Sequence, residues 1–273
     1  MKQITGRYAT ATVYTDIIEE TAIEQIRQLC DQSFVEGCSI RIMPDVHAGT
    51  GCVIGFTADL GQRVIPSIVG VDIGCGMLTV ELGKEPIDYA KLDAVIREYI
   101  PAGSCVHETP AAEFPRLKEL LIYDKLRNLP WIENSLGTLG GNHFIEVDVD
   151  DEGTHYLVIH TGSRNLGKQV ADFYQELAYD ILYGKFNGEA QRRALIAEYK
   201  ASGRAAELEQ ALKNFRVEVE NQIPRNLCYL TGEAGAAYLH DMKICQEYAV
   251  MNRRIIADRI LMNLLGRGLD TFH

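Results

Sequence analysis

The chain has 273 residues, of which 47% are hydrophobic and 24% charged, with a formal net charge of −11. That length buries a substantial core. The acidic balance argues against sequence-blind coating of nucleic acid, which draws its affinity from Lys and Arg neutralising phosphates. A local basic pocket stays open at Arg253, Arg254 and Arg259 in "NRRIIADR", beside the plainer reading of a solvated helix face.

In chain order, the N-terminus "MKQITGRYATATVYTD" lacks the charged-then-apolar pattern of a signal peptide, and no run of about 18 apolar residues follows, which predicts a cytoplasmic address. Glu20–Cys30 predicts an early helix. The runs "SIRIM", "CVIGFTA", "RVIPSIVGVDI" and "MLTVEL" predict strands, and "FIEVDVD" and "HYLVIHT" predict a hairpin around the turn residues Asp151, Glu152 and Gly153. Residues 166–222 turn helical and charged, predicting a helical arm over the core. Tyr238, Met242, Cys245, Ala249, Ile256 and Ile260 then recur at three-to-four spacing along a long helix. Asn252 falls on that stripe, either as a satisfied core amide or as a group turned toward a site. No repeat or linker marks a boundary, so the sequence predicts one domain over 1–273 with a helical excursion at 166–222. The 7 cysteines, odd in number and scattered, read as reduced thiols.

Chemistry concentrates where glycines do. "VGVDIGCGM" sets Asp72 and Cys75 three positions apart among Gly70, Gly74 and Gly76. One tight turn can aim both side chains at one ion, or Asp72 can cap amides while Cys75 packs as a small core residue. "SLGTLGGNHFIEV" places His143 just before one hairpin strand, and "LVIHTGSRNLG" places His160 at the end of the other. Both imidazoles therefore fall at the same edge of the sheet. Two histidines, a cysteine and an aspartate, each beside glycines, form a candidate metal cluster.

"HTGSRNLG" also ends a strand and opens a helix, a setting in which Ser163, Arg164 and the helix N-terminus favour an anion, although Gly-Ser before a helix is equally a plain cap. "MPDVHAGTGCVIG" puts Asp45 and His47 on one face of an extended segment, where they either orient ligands from outside or form a polar turn. His107, His155 and His240 read as structural, and Cys30, Cys38, Cys105, Cys228 and Cys245 as core or surface thiols. No Walker loop, nucleophile elbow or paired CxxC zinc site occurs.

Taken in order, "MPDVHAGTGCVIG", "VGVDIGCGM", "GTLGGNHFIE" and "HTGSRNLG" resemble the signature segments of the RtcB family of RNA-splicing ligases. The likeness runs from residue 43 to the C-terminus and includes "YLHDMKICQEYAVMNRR", similar to the family's long helix. It implies an α+β, RtcB-like fold with β-sheets in the core, packed helices and a helical arm. It also implies a GTP-dependent enzyme with two Mn2+ ions that joins an RNA 3′-phosphate or 2′,3′-cyclic phosphate end to a 5′-hydroxyl end through a guanylylated histidine. By position, the resemblance makes Asp72, Cys75, His143, His160 and His273 metal ligands, with the thiolate bridging both ions. Asn142 and Glu146 fall near the nucleotide's phosphates. The family's guanylylated histidine falls beyond residue 273, so the resemblance predicts a short or truncated form that lacks the family's C-terminal segment and does not guanylylate itself. Mixed imidazole and thiolate donors favour Zn2+ in preparations. The competing expectations are a metal-dependent phosphoesterase and a metal-stabilised RNA-binding module.

Overall fold

A computed structural model describes residues 1–183, 193, 195–201, 207–208, 210–211 and 223–272. The chain divides into two compact units, Met1–Gly70 with Asp172–Ala236 and Val71–Ala171 with Ala237–His273. Helices and sheets occur in both, as the α+β expectation requires.

The first unit holds a sheet of β1 (Lys2–Thr5), β2 (Thr10–Val13), β3 (Ile40–His47) and β4 (Ile54–Ala58) in that order. β2 and β3 run parallel, so the chain must cross over between them, and helix α1 (Glu20–Cys30) is that crossover. Its buried face, Ala22, Ile23, Ile26, Leu29 and Cys30, shares one core with Ala11 and Val13 of β2 and Ile40 and Ile42 of β3. The helix keeps the bounds read from the sequence. β3 runs past "SIRIM" because an irregularity between Ile42 and His47 accommodates Pro44, which has no N–H for a ladder.

"RVIPSIVGVDI" is not the expected strand. Pro66 opens a short helix, α2 (Pro66–Val69), and Gly70 ends it at φ +90°. Proline's fixed φ suits a first helical position and its missing N–H suits no strand interior, which outweighs the β-branched composition. Only Val64 of that run makes a bridge, to Leu230.

The second unit is built on β5 (Gly76–Gly83), β6 (Phe144–Val149) and β7 (His155–Thr161), in the order β5-β7-β6 with both pairings antiparallel. The expected hairpin is β6–β7. In its turn the Asp150 carboxylate accepts from Glu152 N at 2.9 Å and Thr154 N at 2.8 Å, while Gly153 takes φ +83°. Helices α3 (Tyr89–Tyr99) and α4 (Leu129–Asn134) follow β5, and α5 (Arg164–Tyr183) leaves the end of β7. The long helix is α6 (Gly232–Leu265). Ile256, Ala257, Ile260, Leu261 and Leu264 of α6 pack on Val80, Leu157 and Ile159 of the sheet, with Ile145 and Val147 against them. Each Ile, Leu or Val side chain among these, fully buried, is worth about 1.5–3 kcal/mol before entropy is counted. Ile256 and Ile260 of the apolar stripe read from the sequence lie on this face, while Tyr238, Cys245 and Ala249 are buried nearer the start of the helix and Met242 is half-buried. The remainder of the expected excursion, 184–222, lies largely outside the described residues. No described helix is long and apolar enough to cross a membrane.

Candidate metal centre

Two antiparallel pairings about a central β7 bring the starts of β5 and β6 and the end of β7 to one sheet edge. Cys75 immediately precedes β5, His143 immediately precedes β6, and His160 is the penultimate residue of β7. Met77 and Phe144 are the direct cross-strand partners of His160. Cys75 Sγ accordingly lies 3.3 Å from His143 Nε2 and 3.1 Å from His160 Nε2. The ligating atoms of the three residues all fall within 4.8 Å of one another, the spacing of a shared metal ion.

The ring nitrogens are sorted by their surroundings. His160 Nδ1 lies 3.0 Å from Met77 Sδ, which can only accept, so Nδ1 carries the proton and Nε2 offers its lone pair toward Cys75. Phe144 stacks on the other side of the same imidazole, with ring centroids 5.1 Å apart and planes 9° apart. His143 Nδ1 is buried and meets no protein partner, which leaves Nε2 as the nitrogen facing the cluster. The Asp72 carboxylate stands 3.9 Å from that Nε2. Asp72 therefore joins the group at its margin.

The charge balance suits a cation. Burial pushes the Cys75 thiol up, Asp72 pushes it further, and the Arg253 guanidinium and the Gly76 N–H oppose both. Burial likewise holds His143 below the usual imidazole value; Asp72 opposes this, and His160 and Arg164 add to it. Neutral imidazoles are what a metal binds, and a bound cation would favour the thiolate.

Glycines make the approach possible. Gly74 sits at φ +78°, and a Cβ there would lie 2.8 Å from Gln246 Cα and 2.9 Å from Ala249 Cβ, so the Asp72–Cys75 turn rests directly on α6. At Gly140 a Cβ would collide with the His143 ring. Only a residue without one lets that imidazole fold back over its own loop.

The other expected site residues are distributed as follows. Asn142 and Glu146 are exposed, and Glu146 shares a sheet face with Phe144, whose partner is His160. Ser163 is buried with its hydroxyl against Gly167 and no bond to a protein group, so it is not the plain cap the sequence allowed. Arg164 does not project into solvent. At 9% exposure, its Nε donates to Thr138 Oγ1 at 2.9 Å and its Nη2 to Gly103 O at 2.7 Å, over the Trp131 ring. Its backbone takes φ +57°, a left-handed conformation that redirects the chain from β7 into α5. Asp45 and His47 lie exposed at the end of β3, in the first unit. His273 lies outside the described residues.

Sequence reasoning passed over Met77 and Phe144, whose proximity to His160 exists only through strand register. It set Arg253 on a solvated face or in a basic pocket, whereas the side chain is buried and bonded to Gly74 O and Thr161 O. Asn252 carried a signal, a polar residue on an apolar stripe.

Fold and site together define an α+β protein with a candidate Cys–His–His metal centre at the edge of a three-stranded sheet. The chain belongs to the RtcB family: residues 25–125 and 127–267 match the family model described as tRNA-splicing ligase RtcB. It is 32% identical over 183 residues to the RNA-splicing ligase RtcB of Escherichia coli K12, a match covering 59% of this chain and 45% of that protein. With the tRNA-splicing ligase RtcB of Archaeoglobus fulgidus the identity is 26% over 296 residues, covering 88% of this chain and 55% of the relative. The chain thus spans about half the length of the curated relatives it matches.

Proposed function

We propose that this chain carries the metal centre of an RNA ligase that joins 3′-phosphate or 2′,3′-cyclic phosphate ends to 5′-hydroxyl ends, using GTP and Mn2+, in the cytoplasm. The observation that carries the reading is the placement of Cys75 Sγ between two imidazole nitrogens, 3.1 and 3.3 Å away, in a chain matched by the family over nearly its whole length. A sulfur so placed would be a shared donor with both imidazoles to a bound cation, and the family resemblance is what implies a second ion. Asp72, Cys75, His143, His160 and His273 are the proposed ligands.

The donor set fits a first-row divalent ion. By intrinsic preference imidazole and thiolate select Zn2+, while the assignment of Mn2+ rests on the family resemblance. Bound divalent ions would supply charge neutralisation and alignment for phosphoryl chemistry. The chain's own groups do the rest. Asn142, exposed beside His143, offers an amide to a phosphate, and Glu146 offers a carboxylate on the face that bears His160. Arg164, buried and fixed at two of its nitrogens, presents a preset positive charge close enough to act on His143. Ser163 precedes it at the opening of α5, and Asp45 and His47 act from outside the ligand set.

The test uses RNA with a cyclic phosphate at one end and a 5′-hydroxyl at the other, incubated with GTP, Mn2+ and the protein carrying this segment. Sealing that disappears in Cys75→Ala supports the proposal. Release of the terminal phosphate without GTP would replace it with a phosphoesterase, and RNA retention without turnover with a binding module.

A further inference from the structure

Asn252 and Arg253 are consecutive on α6 and buried, at 0% and 8% exposure. Asn252 Oδ1 accepts from Gly137 N at 2.7 Å and Thr138 N at 3.1 Å. Its Nδ2 donates to Thr138 O at 3.1 Å, Gly162 O at 3.3 Å and Thr161 Oγ1 at 3.4 Å. Arg253 Nη1 donates to Gly74 O at 2.9 Å and to Thr161 O at 2.6 Å.

The bonded groups form a pattern. Gly74 precedes Cys75, Thr161 and Gly162 follow His160, and Gly137 and Thr138 begin the loop that delivers His143. Each of the three segments supplies one atom of the cluster, and each is hydrogen-bonded to this dipeptide. Two adjacent helical side chains therefore span the strand ends and loop where ladder bonding stops and buried backbone groups need other partners. Neither residue contributes a ligand atom to the cluster.

We infer that Asn252 and Arg253 are positioning residues that fix the three ligand segments relative to one another and so set the geometry and affinity of the metal centre. The inference rests on the reading of Cys75, His143 and His160 as metal ligands. A ligand atom displaced by a few tenths of an ångström leaves the tolerance of a coordination sphere, and loss of outer partners typically lowers metal affinity about 10- to 100-fold. The guanidinium matters for its shape as well as its charge, since one nitrogen serves carbonyls from two segments.

The experiment titrates the metal-free chain with Co2+, reading affinity and the thiolate-to-cobalt absorption band. Arg253→Met keeps the apolar stem without the donors, Arg253→Lys restores a donor, and Asn252→Asp keeps the acceptor but removes the amide donors. Asp241→Asn is the control, because this fully buried carboxylate on the same helix serves Leu121 N and Ile122 N. Arg253→Met and Asn252→Asp are expected to weaken Co2+ binding about 10-fold or more beyond the control and to alter the band, with Arg253→Lys recovering part of the loss. Should Arg253→Met not fold, Arg253→Lys decides: weakened binding with an altered band supports the inference, and wild-type values overturn it. Losses no larger than those of Asp241→Asn at matched thermal stability overturn the positioning role and leave the metal centre standing. A wild-type chain without the thiolate band overturns both.

Discussion

Cys75 and His160 stand 85 positions apart in the sequence and 3.1 Å apart in the fold, Sγ to Nε2. The pairing of β5 with β7 brings them together, since Met77 lies opposite His160 and Cys75 comes two residues before Met77, and Arg253 ties the two segments through Gly74 O and Thr161 O. Replacing the thiol should therefore remove the shared donor without touching the ladder. Cys75→Ala is expected to lose both proposed ions and Asp72→Ala to weaken mainly one, as read by elemental analysis after dialysis. A full metal complement in Cys75→Ala would make the residue an ordinary thiol.

Gly74→Ala tests the seat of the ligand turn on α6. The added methyl meets Gln246 Cα and Ala249 Cβ at under 3 Å and forces an L side chain to φ +78°. Overpacking and the left-handed backbone together are expected to cost about 2–4 kcal/mol. Thermal melting of the metal-free chain measures it, and a melting point within a degree of wild type would show that the turn yields freely.

Arg164 should be felt in stability before it is felt in binding. Its guanidinium bonds Thr138 Oγ1 and Gly103 O in a site nearly closed to water. Arg164→Ala removes both bonds and the packing of the buried stem, leaving the Thr138 hydroxyl only its bond to Ser135 O, a loss of about 1–3 kcal/mol. Denaturant titration should register that loss even where no phosphate is present. If the variant keeps wild-type stability and loses only phosphate affinity, the side chain belongs wholly to anion binding.

His107 supplies a pH dependence. Its Nε2 lies 3.2 Å from Gly137 O and its Nδ1 3.3 Å from the Arg259 guanidinium, so the ring donates to the carbonyl, accepts from the arginine and stays neutral. Burial, then Arg259, hold it below the ordinary imidazole value, opposed by the bond to Gly137. The unfolded chain thus takes up the proton more readily than the folded one. The contribution is complete above the unfolded value and is lost as pH falls through the lower folded value. Between about pH 7.5 and pH 5, His107→Gln should lose less stability than wild type in parallel denaturant titrations. Equal losses would remove His107 as a source of acid sensitivity.

Much of this arrangement was legible in the residues, for identifiable reasons. The β6–β7 hairpin announces itself through alternation and a compact turn, and once it is drawn, His143 and His160 must share an edge. Cys75 could be tied to them only through its glycine-rich setting and the family resemblance, because no local pattern states which strand β5 will join. The short helix at Pro66 was hidden by β-branched neighbours. Arg253 was misread for a more general reason: a charged side chain on a helix is ordinarily solvated, and only the tertiary fold shows that free carbonyls at two chain segments await it.

The sheet order also imposes a sequence of events on folding. β6 and β7 are joined by a short turn, so the two imidazoles meet as soon as that local loop closes, at small entropic cost. β5 belongs much earlier in the chain and reaches β7 only by closing a far longer loop, a step that high sequence separation makes slow. On loop-closure entropy alone the thiol is expected to be the last donor to arrive. A metal ion that requires all three donors reports completion of the sheet, and its uptake marks the moment when the two ends of this topology have found each other.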